Sequence, residues 1–184
     1  MKEPVKIYLC ASQEPDAAAA LCSLAALLYL ERELAARGFA VTVGGPAADA
    51  CNSCQPHAAL MLSTCMEGSG TAVYHPVTAD WQRYGASCRL ALLVEEQARR
   101  YRLLCRRDIM AGPQIRWLQQ VEAPAVLCVC SLPHDSVYDH LPQIAAQARG
   151  YAQAVTLWSA PHTDKLNTDK LNPWRGVQDH ETIF

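Results

Sequence analysis

The sequence has no stretch near the roughly 20 consecutive apolar residues that a membrane span needs, and no surplus of either charge. Sixteen lysines and arginines against eighteen aspartates and glutamates leave a net charge of −2, so no overall field draws the chain to nucleic acid or an anionic membrane. The opening MKEPVKIYLCASQEPD has too short an apolar stretch for a targeting segment. A soluble, cytoplasmic protein is the expectation. The nine cysteines lack the spacings of a small disulfide scaffold. Scattered through apolar segments, they read as mostly reduced, buried thiols.

The chain's 184 residues suffice for one domain with a substantial core. Its pattern is that of an α/β protein. Val5 to Cys10 reads as a strand, ended by Ala11, Ser12, Gln13 and Glu14. Pro15 and Asp16 then start a helix over Ala17 to Arg37, with Leu24, Leu27, Leu28, Leu30 and Leu34 on a broad apolar face. Gly38 is its C-cap, and Phe39 to Val43 is the next strand, parallel to the first. Gly44 to Pro56 is a turn-rich connection that includes Cys51-Asn52-Ser53-Cys54.

Leu60 to Thr64 is the central strand, and Cys65, Met66, Glu67, Gly68, Ser69 and Gly70 form the loop that leaves it. In an open α/β sheet such a loop is where chemistry usually sits. Thr71 to His75 is a further strand. Ala79 to Cys105 is helical in pattern with a break near Gly85, and Leu90, Leu93, Val94, Tyr101 and Leu104 are its buried candidates. Ile109 to Val121 is ambiguous. Pro124 to Cys130 is a continuous apolar run of the parallel-sheet type, and a last helix covers about Asp139 to Leu157. The expected architecture is a single three-layer domain over residues 1–158, a mostly parallel sheet flanked by helices. Residues 159–184 hold TDKLN twice in tandem and too few apolar groups to offset ordering entropy, so they read as a flexible polar tail.

Several pieces occur in a particular order: Arg37-Gly38-Phe39, Asn52, the strand Leu60 to Thr64, Gly70-Thr71-Ala72-Val73-Tyr74, Ser87-x-x-Leu90-Ala91, and Ala123-Pro124-Ala125-Val126-Leu127. Together they resemble the type-3 family of zinc-dependent N-acetylmuramoyl-L-alanine amidases over about residues 5 to 157. The resemblance implies an α/β domain that cleaves the amide between muramic acid and the peptidoglycan stem peptide. It implies a zinc ion held by two histidines and a glutamate, which lowers the pKa of a bound water, and a further glutamate as general base.

The sequence departs from that pattern at each place. Ser12, Gln13 and Glu14 stand where the first histidine belongs, Ala19 or Ala20 where the ligating glutamate belongs, and Cys65 where the second histidine belongs. Val129 occupies the position of the base, and a hydrocarbon cannot accept a proton. The reading is a degenerate, non-catalytic relative without a cofactor, whose partners would be peptidoglycan fragments or a protein. Glu67, beside the expected centre, and Glu14 are the candidate binding residues.

The alternative is an active amidase with a rebuilt, cysteine-containing zinc site. Cys10, Cys65 and Cys130 are its candidate ligands because they fall near the carboxyl ends of neighbouring strands, with Cys128 and the Cys51/Cys54 pair nearby. Against it, cysteine is among the most buried residue types and packs as a small hydrophobe. A C-x-x-C without a second pair is also a weak metal signal. Arg99, Arg100, Arg102, Arg106 and Arg107 read as a solvated helix face, His134 and Asp135 as a turn, and His57 and His75 as surface or edge residues.

Overall fold

A computed structural model describes residues 3–68, 70–101, 105–112, 114–133 and 137–160, with the side chains of 105–111 left out. The sequence of elements is β1 (Lys6–Ala11), α1 (Ala17–Ala36), β2 (Ala40–Val43), α2 (Ala48–Ser53), β3 (Ala58–Cys65) and β4 (Gly70–His75). Then follow α3 (Trp81–Arg100), β5 (Cys105–Ala111), α4 (Arg116–Gln120), β6 (Ala125–Ser131) and α5 (Val137–Ser159). The six strands form one sheet in the order β2-β1-β3-β6-β4-β5. The β1/β2, β1/β3, β3/β6 and β4/β5 pairs are parallel and only β4/β6 is antiparallel. The expected mostly parallel, helix-flanked sheet is therefore present.

Strand alternation divides the core into two layers. On one side of the sheet Ile7, Leu9, Leu60, Leu62, Val126, Cys128 and Cys130 pack beneath α1, α3 and α5. On the other side Tyr8, Cys10, Ala59, Met61, Ala125 and Leu127 pack against α2 and α4 through Cys51, Trp117 and Leu118. Each fully buried leucine contributes roughly 2 kcal/mol of transfer free energy. Helices α1 and α3 start where side chains satisfy their first N–H groups: Asp16 accepts from Ala19 N at 2.8 Å, and Asp80 from Gln82 N and Arg83 N at 3.0 and 3.1 Å.

Several sequence expectations need correction. The connection over residues 44–56 contains the short helix α2, whose Cys51 is fully buried against β1. In α1, Leu27, Leu30 and Leu34 are buried but Leu24 and Leu28 are about half exposed. Over residues 17–30 the helix carries no charge to reveal which face turns inward. Helix α3 runs without a break through Gly85 and ends at Arg100. Tyr101 is exposed, while Leu104 lies outside the described residues.

Cys105-Arg106-Arg107 begins the edge strand β5, so the basic run is not one helix face. Arg99 and Arg100 do lie on α3, paired with Glu95 and Glu96. The ambiguous segment resolves into the end of β5 and α4. His75 is buried, on a strand with neighbours on both sides, whereas His57 is exposed and accepts from Lys6 N at 3.0 Å. His134, Asp135 and residues 161–184 are outside the described residues.

Candidate functional site

The carboxyl ends of β1, β3 and β6 lie side by side and form the rim where this fold would hold its chemistry. β1 and β3 stay joined past the last ladder pair by Ser12 N donating to Leu62 O at 2.8 Å, and Leu132 N donates to Cys65 O at 2.8 Å beyond β6. Glu14 is turned back onto these strand ends. Its Oε1 accepts the Ser63 hydroxyl at 2.6 Å, the Thr64 N–H at 3.3 Å and the Ser12 hydroxyl. Three donors on one oxygen stabilise a carboxylate and hold it in place. The Ser12/Ser63 clamp was not legible in the sequence, because only strand register brings residues so far apart to one point.

Glu67 is exposed in the bend between β3 and β4. That bend reverses through Gly68 and Gly70, at φ of +81° and +120°, values that suit glycine because it has no Cβ to clash. The adjacent Met66 is buried. The two carboxylates therefore differ in setting: Glu14 is partly buried and clamped, and Glu67 faces solvent.

The candidate cysteines are not brought together. Cys10 enters the layer with Tyr8 and Cys51, whereas Cys130 enters the opposite layer beneath α5. Burial pushes the Cys10 thiol up to about 12, reinforced by the neighbouring Cys51. The Cys51 thiol is itself pushed up to about 12 by burial, with Cys54 adding to it. Burial also raises Cys130 to about 11, partly opposed by Gln147 Nε2 donating to its sulfur at 2.8 Å. Such thiols stay protonated at neutral pH.

Cys65 ends β3 half-buried, paired in register with Ser131. Val129 stands opposite Ser63 and packs with the Tyr8, Cys10 and Met61 layer. Ala19 is buried under the rim. Among the described residues no group of three or more His, Cys, Asp or Glu side chains is placed to hold a metal ion.

A shallow hollow of about 270 Å³ lies at the other end of the sheet, lined by Asn52, Gln55, Pro56, Glu122 and Ala123. Asn52 works there as a strut, with Nδ2 donating to Gln120 O at 3.0 Å and Oδ1 accepting from Glu122 N at 2.9 Å.

Comparison of this arrangement with solved structures gives a consistent set. The N-acetylmuramyl-L-alanine amidase Ami1 from Mycobacterium smegmatis superposes with a TM-score of 0.69 at 15% identity, covering 84% of this chain and 96% of that one. The fold is that of the N-acetylmuramoyl-L-alanine amidases. AmiC2 of Nostoc punctiforme matches with a TM-score of 0.65 at 12% identity, covering 84% of this chain and 96% of its own. The CwlD amidase from Clostridioides difficile, solved in complex with the GerS lipoprotein, matches with a TM-score of 0.60 at 14% identity over 84% and 95%. No family profile and no curated protein matches the sequence. At these identities the likeness establishes the amidase fold.

Proposed function

We propose that this chain is a non-catalytic relative of the peptidoglycan amidases that keeps their scaffold as a binding module. The observation that carries this reading is the rim itself. Glu14 is occupied by Ser12, Ser63 and Thr64, and Val129, at the position of the base, is packed among apolar groups. Hydrolysis of an amide by this class of site needs a ligated water and a base within hydrogen-bond reach of it. A valine side chain supplies neither.

The residues present do not fit a zinc ion. Cys10 and Cys130 belong to opposite layers of the core, so their sulfurs do not converge on one ion. That leaves Cys65 as the one candidate thiol at the rim that is not fully buried. Glu67, exposed beside it, offers a carboxylate for contact with the amide and hydroxyl groups of a cell-wall fragment or with a protein surface.

Metal analysis and a peptidoglycan assay on purified protein test the proposal. The expected result is well below one equivalent of zinc and no release of muramoyl-linked peptide, with or without added zinc. One equivalent of zinc with hydrolysis lost in Cys65→Ala would establish an active amidase using a cysteine-containing site. Calorimetric titration with soluble muropeptides, using Glu67→Ala as the weakened variant, distinguishes a cell-wall ligand from a protein partner.

A further inference from the structure

Helix α2 ends in two successive i→i+3 hydrogen bonds, Cys54 N donating to Cys51 O and Gln55 N to Asn52 O, both at 3.1 Å. That is 3₁₀ geometry, in which side chains three residues apart stand on one line of the helix surface. Cys51 and Cys54 are such a pair. At 2.0 Å of rise per residue their Cα atoms lie about 6 Å apart, within the roughly 4.4–6.8 Å that a disulfide spans.

The two thiols have opposite settings. Cys54 is exposed, the only such thiol among the described cysteines, whereas Cys51 is fully buried in the layer with Tyr8 and Cys10. Cys54 Sγ donates to Ala50 O at 3.3 Å, a weak bond for a thiol, so turning it toward Cys51 gives up little. Gln55, the next residue, lines the shallow hollow together with Asn52, which leaves open space beside the exposed sulfur. Cys10 shares the layer of Cys51 but is itself fully buried, its Sγ directed at Leu60 O at 4.0 Å. A reagent from solvent therefore meets Cys54 first, and Cys51 only through it.

We propose that Cys51 and Cys54 form a thiol–disulfide exchange site for low-molecular-weight disulfides of the glutathione class. Cys54 loses its proton to solvent, and its thiolate attacks one sulfur of the disulfide RS–SR. A mixed disulfide forms on Cys54 and RS⁻ leaves. Cys51 then gives up its proton and attacks the Cys54 sulfur, closing the internal bridge and expelling the second RS⁻. The pair is oxidised by two electrons, the reagent is reduced to two thiols, and these take up the two protons released. Burial pushes the Cys51 thiol up to about 12, which makes closure the slower step. The site lies at the end of the sheet away from the Glu14 rim and does not depend on what the rim binds.

Oxidised glutathione added to the native full chain, followed by alkylation of the remaining thiols and tryptic mass mapping, tests this. No lysine or arginine lies between Gly38 and Arg83, so Cys51, Cys54 and Cys65 share one tryptic peptide, whereas Cys10 falls in residues 7–32. The expected product is the 38–83 peptide lighter by two hydrogens, with Cys65 alkylated, and dithiothreitol should reverse it. Cys54→Ser, at an exposed position, should abolish the bridge and slow thiol loss by about tenfold or more. Cys51→Ala should stop at one glutathione on Cys54. Cys65→Ser should leave the bridge unchanged. A bridge joining residues 7–32 to 38–83, a native chain that forms no bridge, or a Cys54→Ser variant that oxidises like the parent overturns the proposal, and that last variant decides even if Cys51→Ala does not fold.

Discussion

The Ser63 hydroxyl donates to Glu14 Oε1 across 2.6 Å, joining the end of β3 to the segment that follows β1. Ser12 and the Thr64 N–H converge on the same oxygen. Hydrogen bonds to a charged acceptor contribute about 1.5–3 kcal/mol each where burial protects them, and partial exposure reduces that. Glu14→Ala should lower unfolding free energy by about 1–3 kcal/mol. Glu14→Gln should cost less, because its amide oxygen still accepts. Urea denaturation of both variants measures the difference, and an unchanged Glu14→Ala midpoint would show that the clamp contributes nothing.

The buried thiols predict alkaline sensitivity. Cys10 and Cys51 are each pushed up to about 12 and Cys130 to about 11, burial being the largest cause in every case. An unfolded thiol ionises near 8.5, so above that pH the unfolded chain binds fewer protons than the folded one. Stability is complete below about pH 8.5 and falls as pH rises toward 11–12. Urea midpoints at about pH 7.5 and about pH 10 should differ, with the lower midpoint at the higher pH. Cys10→Ala should flatten the difference.

Ser23 of α1 donates to Thr64 Oγ1 of β3 at 2.9 Å, and both residues are buried. Ser23→Ala or Thr64→Val alone leaves a hydroxyl without its partner, at about 1–3 kcal/mol. The double variant should cost less than the two single losses together. Strict additivity in thermal unfolding would mean that the hydroxyls do not interact.

Gly44 marks a close approach: a Cβ added there would fall 2.1 Å from the Tyr8 hydroxyl, which donates to Gly45 O at 2.8 Å. Gly44→Ala should therefore destabilise by about 1–3 kcal/mol through overpacking. The same substitution in a Tyr8→Phe background should cost less, because the most crowded atom is gone. Equal costs in both backgrounds would place the strain elsewhere.

The strands beginning near Val5 and Pro124 and the helix after Asp16 were legible because their signals are local: continuous apolar runs and a capping carboxylate. β5 was hidden because Cys105-Arg106-Arg107-Asp108 has the composition of a helix surface, and only pairing with β4 makes it a strand. α2 was hidden by its short length and by the turn-forming residues around it. At the rim, the residue types at Cys65 and Val129 could be read directly. The separation of Cys10 from Cys130 follows instead from pleat and register, which place Cys10 opposite Met61 and Cys130 opposite Thr64.

Because β4 alone runs against its neighbour β6, the chain emerges from it at the pole opposite the Glu14 clamp. The joints at that far pole, Pro124 O accepting from Ala59 N and His75 O accepting from Gly112 N, share no residue with the clamp. Side chains at one pole can therefore change without disturbing the backbone joints that hold the open sheet together at the other.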